Sequence, residues 1–102
     1  NNNCSFNCLH HIQVGKNTIF GESVKVYDHD HSIDENYIVN KNDFVTSPVI
    51  IGANCWIGSN TIILKGVNIV DNVVIGANSL VNKSVLAPGI YVNKNGLLTK
   101  IK

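Results

Sequence analysis

The chain has 102 residues, 44% of them hydrophobic, and a formal net charge of +1 at pH 7. This length and composition, without a long apolar run, are typical of one globular domain and predict neither a membrane span nor a signal peptide. The lysines are scattered and form no basic stripe, which argues against nucleic acid as a partner. Because the sequence contains no methionine, we expect residues 1–102 to be one domain from which an N-terminal part is missing.

Three cysteines are present, at Cys4, Cys8 and Cys55. An odd number cannot all pair within one chain, and the spacing of the first two is not that of a zinc ribbon. This pattern favours reduced thiols in a cytoplasmic protein.

The dominant feature of the sequence is a repeat of six residues. Cut from Ile51, thirty-six residues divide into IGANCW, IGSNTI, ILKGVN, IVDNVV, IGANSL and VNKSVL. Each hexad begins with an aliphatic residue and has a small or β-branched residue in fifth place, a period that fits neither an amphipathic helix nor an alternating strand. Glycine recurs in second place and asparagine in fourth, and both tolerate positive φ at tight corners. The repeating unit is therefore a short strand followed by a turn.

The same pattern occurs upstream, in VGKNTI and FGESVK from Val14, followed by Val26, and extends weakly to Cys8 and Ile12. Three hexads would make one triangular coil, so residues eighteen apart should stack and form the core. The predicted stacked pairs are Ile51 with Ile69, Ile57 with Ile75, and Ile63 with Val81. The sequence thus predicts an all-β, parallel β-helix in which each coil depends on its neighbours for burial.

The register of the repeat fails once. Val26 and Ile51 are twenty-five residues apart, one more than four hexads, and the intervening DENYIVNKNDFVTS is polar and lacks the hexad pattern. We interpret about residues 32–47 as a loop extruded from a coil. Long loops in compact domains are usually functional, so the chemistry is expected beside this one.

The segments on either side of the loop carry a family resemblance. Before it stands VKVYDHDHSID, and after it PVIIGANCWIGSNTIILKGVNI, with IGANSLVNKSV near the end. Together with the hexads, these segments resemble the galactoside and maltose acetyltransferases and related sugar O-acetyltransferases over nearly the whole chain. The resemblance implies a left-handed parallel β-helix (a hexapeptide-repeat solenoid), a hand that the usual crossover rule does not predict. It further implies a cytoplasmic homotrimer that moves acetyl from acetyl-CoA to a hydroxyl of a sugar or polysaccharide precursor, without a metal.

The resemblance also implies roles for individual residues. The family's general base is a histidine just before the loop; His31, twenty-five residues before Trp56, fits that place better than His29 does. The family's thioester contacts come from a serine after the tryptophan and an alanine one coil further on. The implied acetyl-CoA contacts are Trp56, Ser59, Ala77 and Lys83, and the implied acceptor contacts are Asn1, with Asn3 as a weaker substitute, and His29.

The chemistry of acyl transfer independently favours a histidine. A base must take the hydroxyl proton and an acid must protonate the departing thiolate, and one imidazole can do both. A backbone N–H near Ser59 is a candidate donor to the tetrahedral oxyanion, so the Ser59 hydroxyl is not the predicted nucleophile. Asp30 or Asp34 could orient the imidazole, although DHDH could equally be a polar turn.

Three alternatives stay open. Gamma-class carbonic anhydrases share the fold, and His10 or His11 with His29 and His31 could be zinc ligands, although no histidine follows residue 31. Serine acetyltransferases share the fold as well, and a β-helix can also serve only as an oligomerisation scaffold.

The C-terminal segment departs from the family pattern. Family members close with a segment like GNPAK against the adenine end of CoA, whereas this chain reads YVNKNGLLTKIK. The nucleotide contacts are therefore open, with Lys83, Lys94 and Lys100 as candidates by charge alone.

Overall fold

The structure is a computed structural model that describes residues 3–102. Within this range fourteen strands follow one another: β1 (Ser5–Asn7), β2 (Ile12–Val14), β3 (Ile19–Phe20), β4 (Lys25–Tyr27), β5 (His29–Ile33), β6 (Val39–Thr46), β7 (Val49–Ile51), β8 (Trp56–Ile57), β9 (Ile62–Ile63), β10 (Asn68–Ile69), β11 (Val73–Ile75), β12 (Leu80–Val81), β13 (Gly89–Lys94) and β14 (Leu97–Lys100). The described chain has no helix with the length and apolar character needed to span a membrane.

Most strands belong to three parallel sheets, which are the faces of a three-sided prism. The first face has the order β1-β4-β9-β12, the second β2-β7-β10, and the third β3-β8-β11-β13, with β14 added antiparallel at its end. Successive short strands along the chain lie on successive faces, because each hexad ends in a turn. The predicted all-β parallel coil is therefore confirmed.

The core is the ladder of aliphatic residues that open the hexads. The strand registers pair Ile51 with Ile69, Ile57 with Ile75, and Ile63 with Val81, as the sequence predicted. All six side chains are buried. In the same way, the upstream block pairs Val14 with Ile51, Phe20 with Ile57, and Val26 with Ile63. The weak extension to Cys8 was wrong, since that residue is exposed, whereas Ile12 packs against the core.

The corners use asparagine and glycine for different reasons. The fourth-place asparagines, among them Asn60 at φ 61° and Asn78 at φ 60°, adopt the left-handed conformation. The second-place glycines do not. Instead, a Cβ on Gly58 would lie 2.5 Å from the backbone nitrogen of Ala77 in the next coil, so glycine is needed for close stacking.

The predicted loop of about 32–47 is a β-hairpin that begins three residues earlier, at His29. Val26 stacks under Ile63, thirty-seven residues later, so one coil carries nineteen residues beyond the usual eighteen. The hairpin closes at its base, where the Ser47 N–H donates to the Asp28 carbonyl at 2.9 Å. Because β5 has polar side chains on both faces, its sequence lacks the alternation of apolar and polar residues that would predict a strand. Both histidines of DHDH therefore lie within the extruded segment.

The chain ends in a second hairpin, β13–β14, which covers the last coil. Asn95 and Gly96 both have positive φ, as a two-residue Asn-Gly turn requires. Tyr91 and Leu98 pack against the core, and the Tyr91 hydroxyl donates to the Ala87 carbonyl at 2.7 Å. The C-terminal segment, whose sequence departs from the family pattern, thus forms a cap on the solenoid.

Candidate active site

The His-bearing hairpin is anchored by the buried carboxylate of Asp28. Its oxygens accept backbone N–H bonds from Leu9 at 2.9 Å and from His10 and His11 at 2.7 Å, and Oδ1 lies 2.9 Å from Nδ1 of His29. Burial by itself raises the pKa of this carboxyl, but the bonds from Leu9, His29, His10 and His11 outweigh it and hold the pKa well below its usual range. Asp28 is therefore ionised and fixes the start of the hairpin to the first coil.

The two histidines of the hairpin have different surroundings. The His29 side chain is 19% exposed and bound to Asp28, whereas His31 is exposed. Both rings contact Phe44 on the opposite strand: the His29 ring edge-to-face at 5.6 Å between centroids, and the His31 ring at 4.7 Å with 32° between planes. The rings of His29, Phe44 and His31 thus form one ring cluster, in which the His31 imidazole is exposed to solvent.

The other two aspartates do not orient an imidazole. Asp30 pairs with Lys65 at 3.3 Å, and Asp34 accepts the N–H groups of Asn36 and Ile38 in the hairpin turn. The suggested positioning role of Asp30 or Asp34 is therefore wrong, and Asp28 fills it for His29. A buried ionised carboxylate was not foreseen because the segment DHDH is uniformly polar.

A second group of predicted residues lies on and beside the third face. Trp56, 58% exposed, stands in register between Ile19 and Val74. At the corner that follows, Ser59 and Ala77 stack as predicted, because the strands before them pair with an offset of eighteen residues.

The backbone N–H groups at this corner differ from those at a neighbouring one. Among the bonds described for residues 3–102, neither Ser59 N–H nor Ala77 N–H donates to a protein acceptor. At another corner the N–H of Ala53 is instead taken by Asp71 Oδ1 at 2.8 Å. The Ser59 hydroxyl accepts from the Glu22 N–H at 3.1 Å and so serves the stacking of coils.

Lys83 lies on a different edge from Ser59 and Ala77. It follows Lys65 by eighteen residues, and the register of Val81 on Ile63 places it above that lysine, on the hairpin edge. It also lines a groove of about 610 Å³ under the C-terminal hairpin, together with Tyr91 and Lys100. Asn1 lies outside the described residues, and its substitute Asn3 is exposed.

Within one chain the predicted site residues therefore lie in two separated groups. The hairpin leaves between the first and second faces, since β4 precedes it and β7 follows it, whereas Ser59 and Ala77 lie between the third and first faces. We call these the hairpin edge and the amide edge. The topology gives His31 and Lys83 to the hairpin edge and Ser59 and Ala77 to the amide edge, with Trp56 on the third face beside the latter.

The zinc-ligand set of the carbonic-anhydrase alternative is not assembled. In the described residues no three side chains of His, Cys, Asp or Glu come together in a way that could hold a metal ion. The His11 ring instead contacts the Gln13 side chain at 3.3 Å. The structure offers no support for that alternative.

Comparison with known proteins finds the same repeat and related acetyltransferases. Residues 48–83 match the family described as hexapeptide repeat of succinyl-transferase. The chain is 40% identical over 84 residues to YvoF of Bacillus subtilis (strain 168). The matched segment is 82% of this chain and 44% of YvoF. It is 36% identical over 75 residues to the galactoside O-acetyltransferase of Escherichia coli (strain K12), covering 72% of this chain and 36% of the enzyme. The chain thus spans less than half the length of these relatives.

Solved structures extend the likeness to the whole fold. A maltose O-acetyltransferase from Clostridium difficile 630 is 30% identical with a TM-score of 0.71, covering 96% of this chain and 58% of that one. A galactoside acetyltransferase in complex with coenzyme A is 28% identical with a TM-score of 0.84, covering 97% of this chain and 48% of that one.

Proposed function

Because the chain belongs to the hexapeptide-repeat acetyltransferase family, we propose that its protein moves an acetyl group from acetyl-CoA to a hydroxyl of a sugar or polysaccharide precursor. The names of the relatives support this acceptor class, and the neighbour solved with coenzyme A supports the donor. We extend the proposal to one left-handed β-helical domain over residues 1–102, acting in the cytoplasm.

The observation that carries the proposal is the stacked pair of Ser59 and Ala77, whose backbone N–H groups have no acceptor among residues 3–102. Stacked amides on an edge, next to an exposed tryptophan, suit an extended acyl carrier whose carbonyl oxygens need donors. The N–H near the thioester would also stabilise the tetrahedral oxyanion, a contribution of roughly 2.7–4 kcal/mol for one such donor. Trp56 would pack against the carrier, and Lys83 and Lys100, which line the same groove, would attract its phosphates.

In this proposal His31 is the general base. Its imidazole takes the proton of the acceptor hydroxyl as the oxygen attacks the thioester carbonyl. When the tetrahedral intermediate collapses, the carbon–sulfur bond breaks and the CoA thiolate takes the proton from the imidazolium. The exposure of His31 supports the assignment, since the acceptor must reach the base.

His29 is the competing candidate for the base. A buried carboxylate on Nδ1 is the arrangement that orients an imidazole in hydrolytic triads, and Asp28 supplies it to His29. We assign His29 to acceptor contact, together with Asn1, because its ring is mostly enclosed.

The two edges of one chain suggest how the site is completed. A neighbouring copy that places its amide edge against the hairpin edge would bring His31 opposite Trp56 and Ser59. The third face is suited to such an assembly, because its outward ladder of Ile19, Trp56, Val74 and Ile90 is wholly apolar. Closed threefold symmetry would create three equivalent clefts, so we propose a homotrimer.

The test is thiol release from acetyl-CoA by the full-length protein, offered a panel of sugars and amino acids. We expect turnover with a sugar hydroxyl. Turnover with L-serine alone would favour serine acetyltransferase activity, and tight CoA binding without turnover on any acceptor would contradict the acceptor class. A protein that binds no CoA would be a scaffold, and the proposal would be wrong.

A further inference from the structure

The ring cluster on the hairpin connects a buried charge to an exposed imidazole. Asp28 binds His29, the His29 ring meets Phe44 edge-to-face at 5.6 Å, and Phe44 lies against His31 at 4.7 Å. Each contact is between neighbours, so the position of His31 depends on a chain of contacts that begins at the first coil of the prism.

Strand pairing places these rings on one side of the hairpin. His31 and Phe44 are directly opposite partners in the antiparallel ladder, and His29 is two residues from His31. Residues opposite each other, and residues two apart, project from the same face of a ladder. Asp30 and Val45 pair next to them and therefore point to the other side.

The strand opposite His31 is also irregular. His31 pairs with Phe44, but the next residue, Ser32, pairs with Asn40, so residues 41–43 of β6 have no partner in the ladder. Irregularities of this kind bend a strand and re-aim side chains, and they are frequent next to active sites. The pair of His31 and Phe44 is therefore the last regular pair before this irregularity.

We propose that Phe44 is a positioning residue for His31: held from one side by the anchored His29 ring, it packs against the His31 imidazole and fixes its direction. An exposed imidazole without a polar partner would otherwise sample several rotamers. Within residues 3–102 the structure gives the His31 side chain no hydrogen bond, so the contact with the Phe44 ring is the one that selects an orientation. This inference rests on the proposed role of His31 as the base.

The experiment compares Phe44→Leu with Phe44→Tyr in the full-length protein. Leucine keeps an apolar side chain but removes the ring, whereas tyrosine keeps the ring. The matched control is Tyr37→Leu, which removes an aromatic ring at the hairpin turn, where Tyr37 is 88% exposed. Far-UV circular dichroism and the Ser47 amide resonance report whether the hairpin base is retained.

We expect Phe44→Leu to lower kcat on the order of 10-fold with KM for acetyl-CoA unchanged, since misdirecting a base weakens the chemical step. Phe44→Tyr should restore kcat, and Tyr37→Leu should leave it at the wild-type value. An equal kcat for Phe44→Leu and Tyr37→Leu would overturn the inference. If Phe44→Leu loses the hairpin, Phe44→Met, whose side chain is closer in volume to phenylalanine, replaces it in the experiment. The same fall in kcat is expected for that variant.

A spectroscopic readout separates this inference from the proposed function. In wild-type protein, the ring current of Phe44 should displace the His31 imidazole proton resonances, and Phe44→Leu should return them to the range of a free histidine. Unchanged His31 resonances would mean that the two rings are not in contact in solution. If the resonances move as expected but His31→Ala retains full activity, the ring contact is real and the proposed base is wrong.

Discussion

Asp28 Oδ1 lies 2.9 Å from Nδ1 of His29, and the same carboxylate receives three consecutive backbone N–H groups of the first coil, from Leu9 to His11. A single buried charge thus joins the start of the hairpin to a coil that precedes it by almost twenty residues. Removing that charge should affect both the stability of the fold and the placement of the histidines.

Asp28→Asn should therefore destabilise the protein. Hydrogen bonds to a charged group contribute about 1.5–3 kcal/mol each, and a neutral amide weakens several at once. We therefore expect the free energy of unfolding, measured in urea, to fall by at least about 2 kcal/mol. Asp30→Asn is the matched control, because Asp30 is 57% exposed in a surface ion pair and should change stability by less than about 1 kcal/mol. Similar unfolding midpoints for the two variants would contradict the anchoring role.

The pH dependence of stability has a definite sign. The folded pKa of Asp28 is depressed, whereas the unfolded carboxyl has a pKa of about 3.9. Its contribution is fully present above that unfolded value and is lost as the pH falls towards the folded one. The difference in free energy of unfolding between wild-type protein and Asp28→Asn should therefore shrink as the pH of the unfolding experiment is lowered below about 4. An advantage that did not change with acidification would show that Asp28 titrates normally.

The general-base assignment predicts unequal effects of the two hairpin histidines. His31→Ala should lower kcat by about 10²- to 10⁴-fold, the range for loss of a positioned acid–base group. His29→Ala should mainly raise KM for the acceptor, because His29 is assigned to acceptor contact. Steady-state kinetics with a true acceptor would show the reverse order if the oriented His29 is the base.

The aliphatic ladder predicts a sharp difference between adjacent isoleucines of β9. Ile63 is fully buried and stacks on Val81, whereas Ile62 points outward and is 36% exposed. Ile63→Ala should cost about 2–5 kcal/mol in unfolding free energy, and Ile62→Ala much less. Equal losses in denaturant titrations would mean that the inward register is wrong.

The repeat made much of this fold predictable from sequence. Ile57 on Ile75 follows from arithmetic once three hexads make a coil, because the aliphatic period is set by local turns. The hairpin was harder to foresee, since Asp28 and His29 look like a polar turn until the carboxylate meets N–H donors from a distant coil. Phe44 was missed for the same reason, although it is one of only two aromatic residues in residues 32–47, with Tyr37, and was a usable signal.

The site was predictable only as far as local stacking reaches. Ser59 and Ala77 are eighteen apart, so their stacking followed from the repeat, and the structure agrees. The edge that carries Lys83 could be identified only from the order of the faces after the hairpin. That order places Lys83 above Lys65 rather than beside Ala77. No local pattern encodes the approach of a second copy, so roles at the cleft remain proposals.

Metal independence is a further expectation. The described residues contain no cluster that could hold a metal ion, and the proposed transfer uses an imidazole and backbone donors. Dialysis of the active protein against a strong chelator should leave thiol release unchanged. Activity lost on chelation and regained with zinc would favour the carbonic-anhydrase type of site over the one proposed here.

The shared cleft predicts that two inactive variants rescue each other. His31→Ala disables the hairpin edge, and Trp56→Leu disables the site beside the amide edge while it keeps the third face apolar. If each cleft takes His31 from one copy and Trp56 from its neighbour, random mixing of equal amounts should leave both wild-type residues in about a quarter of the clefts. The mixture should then turn over substrate at about a quarter of the wild-type rate.

The rescue depends on exchange of subunits, so the mixture should be unfolded and refolded together and its mass measured by light scattering. The control is a mixture of His31→Ala with the double variant His31→Ala/Trp56→Leu, in which no cleft has an intact His31. That mixture should stay at the background rate of His31→Ala. Activity of the first mixture no greater than the sum of its separate components would mean that His31 and Trp56 act within one chain, which the positions of the two edges in a single prism argue against.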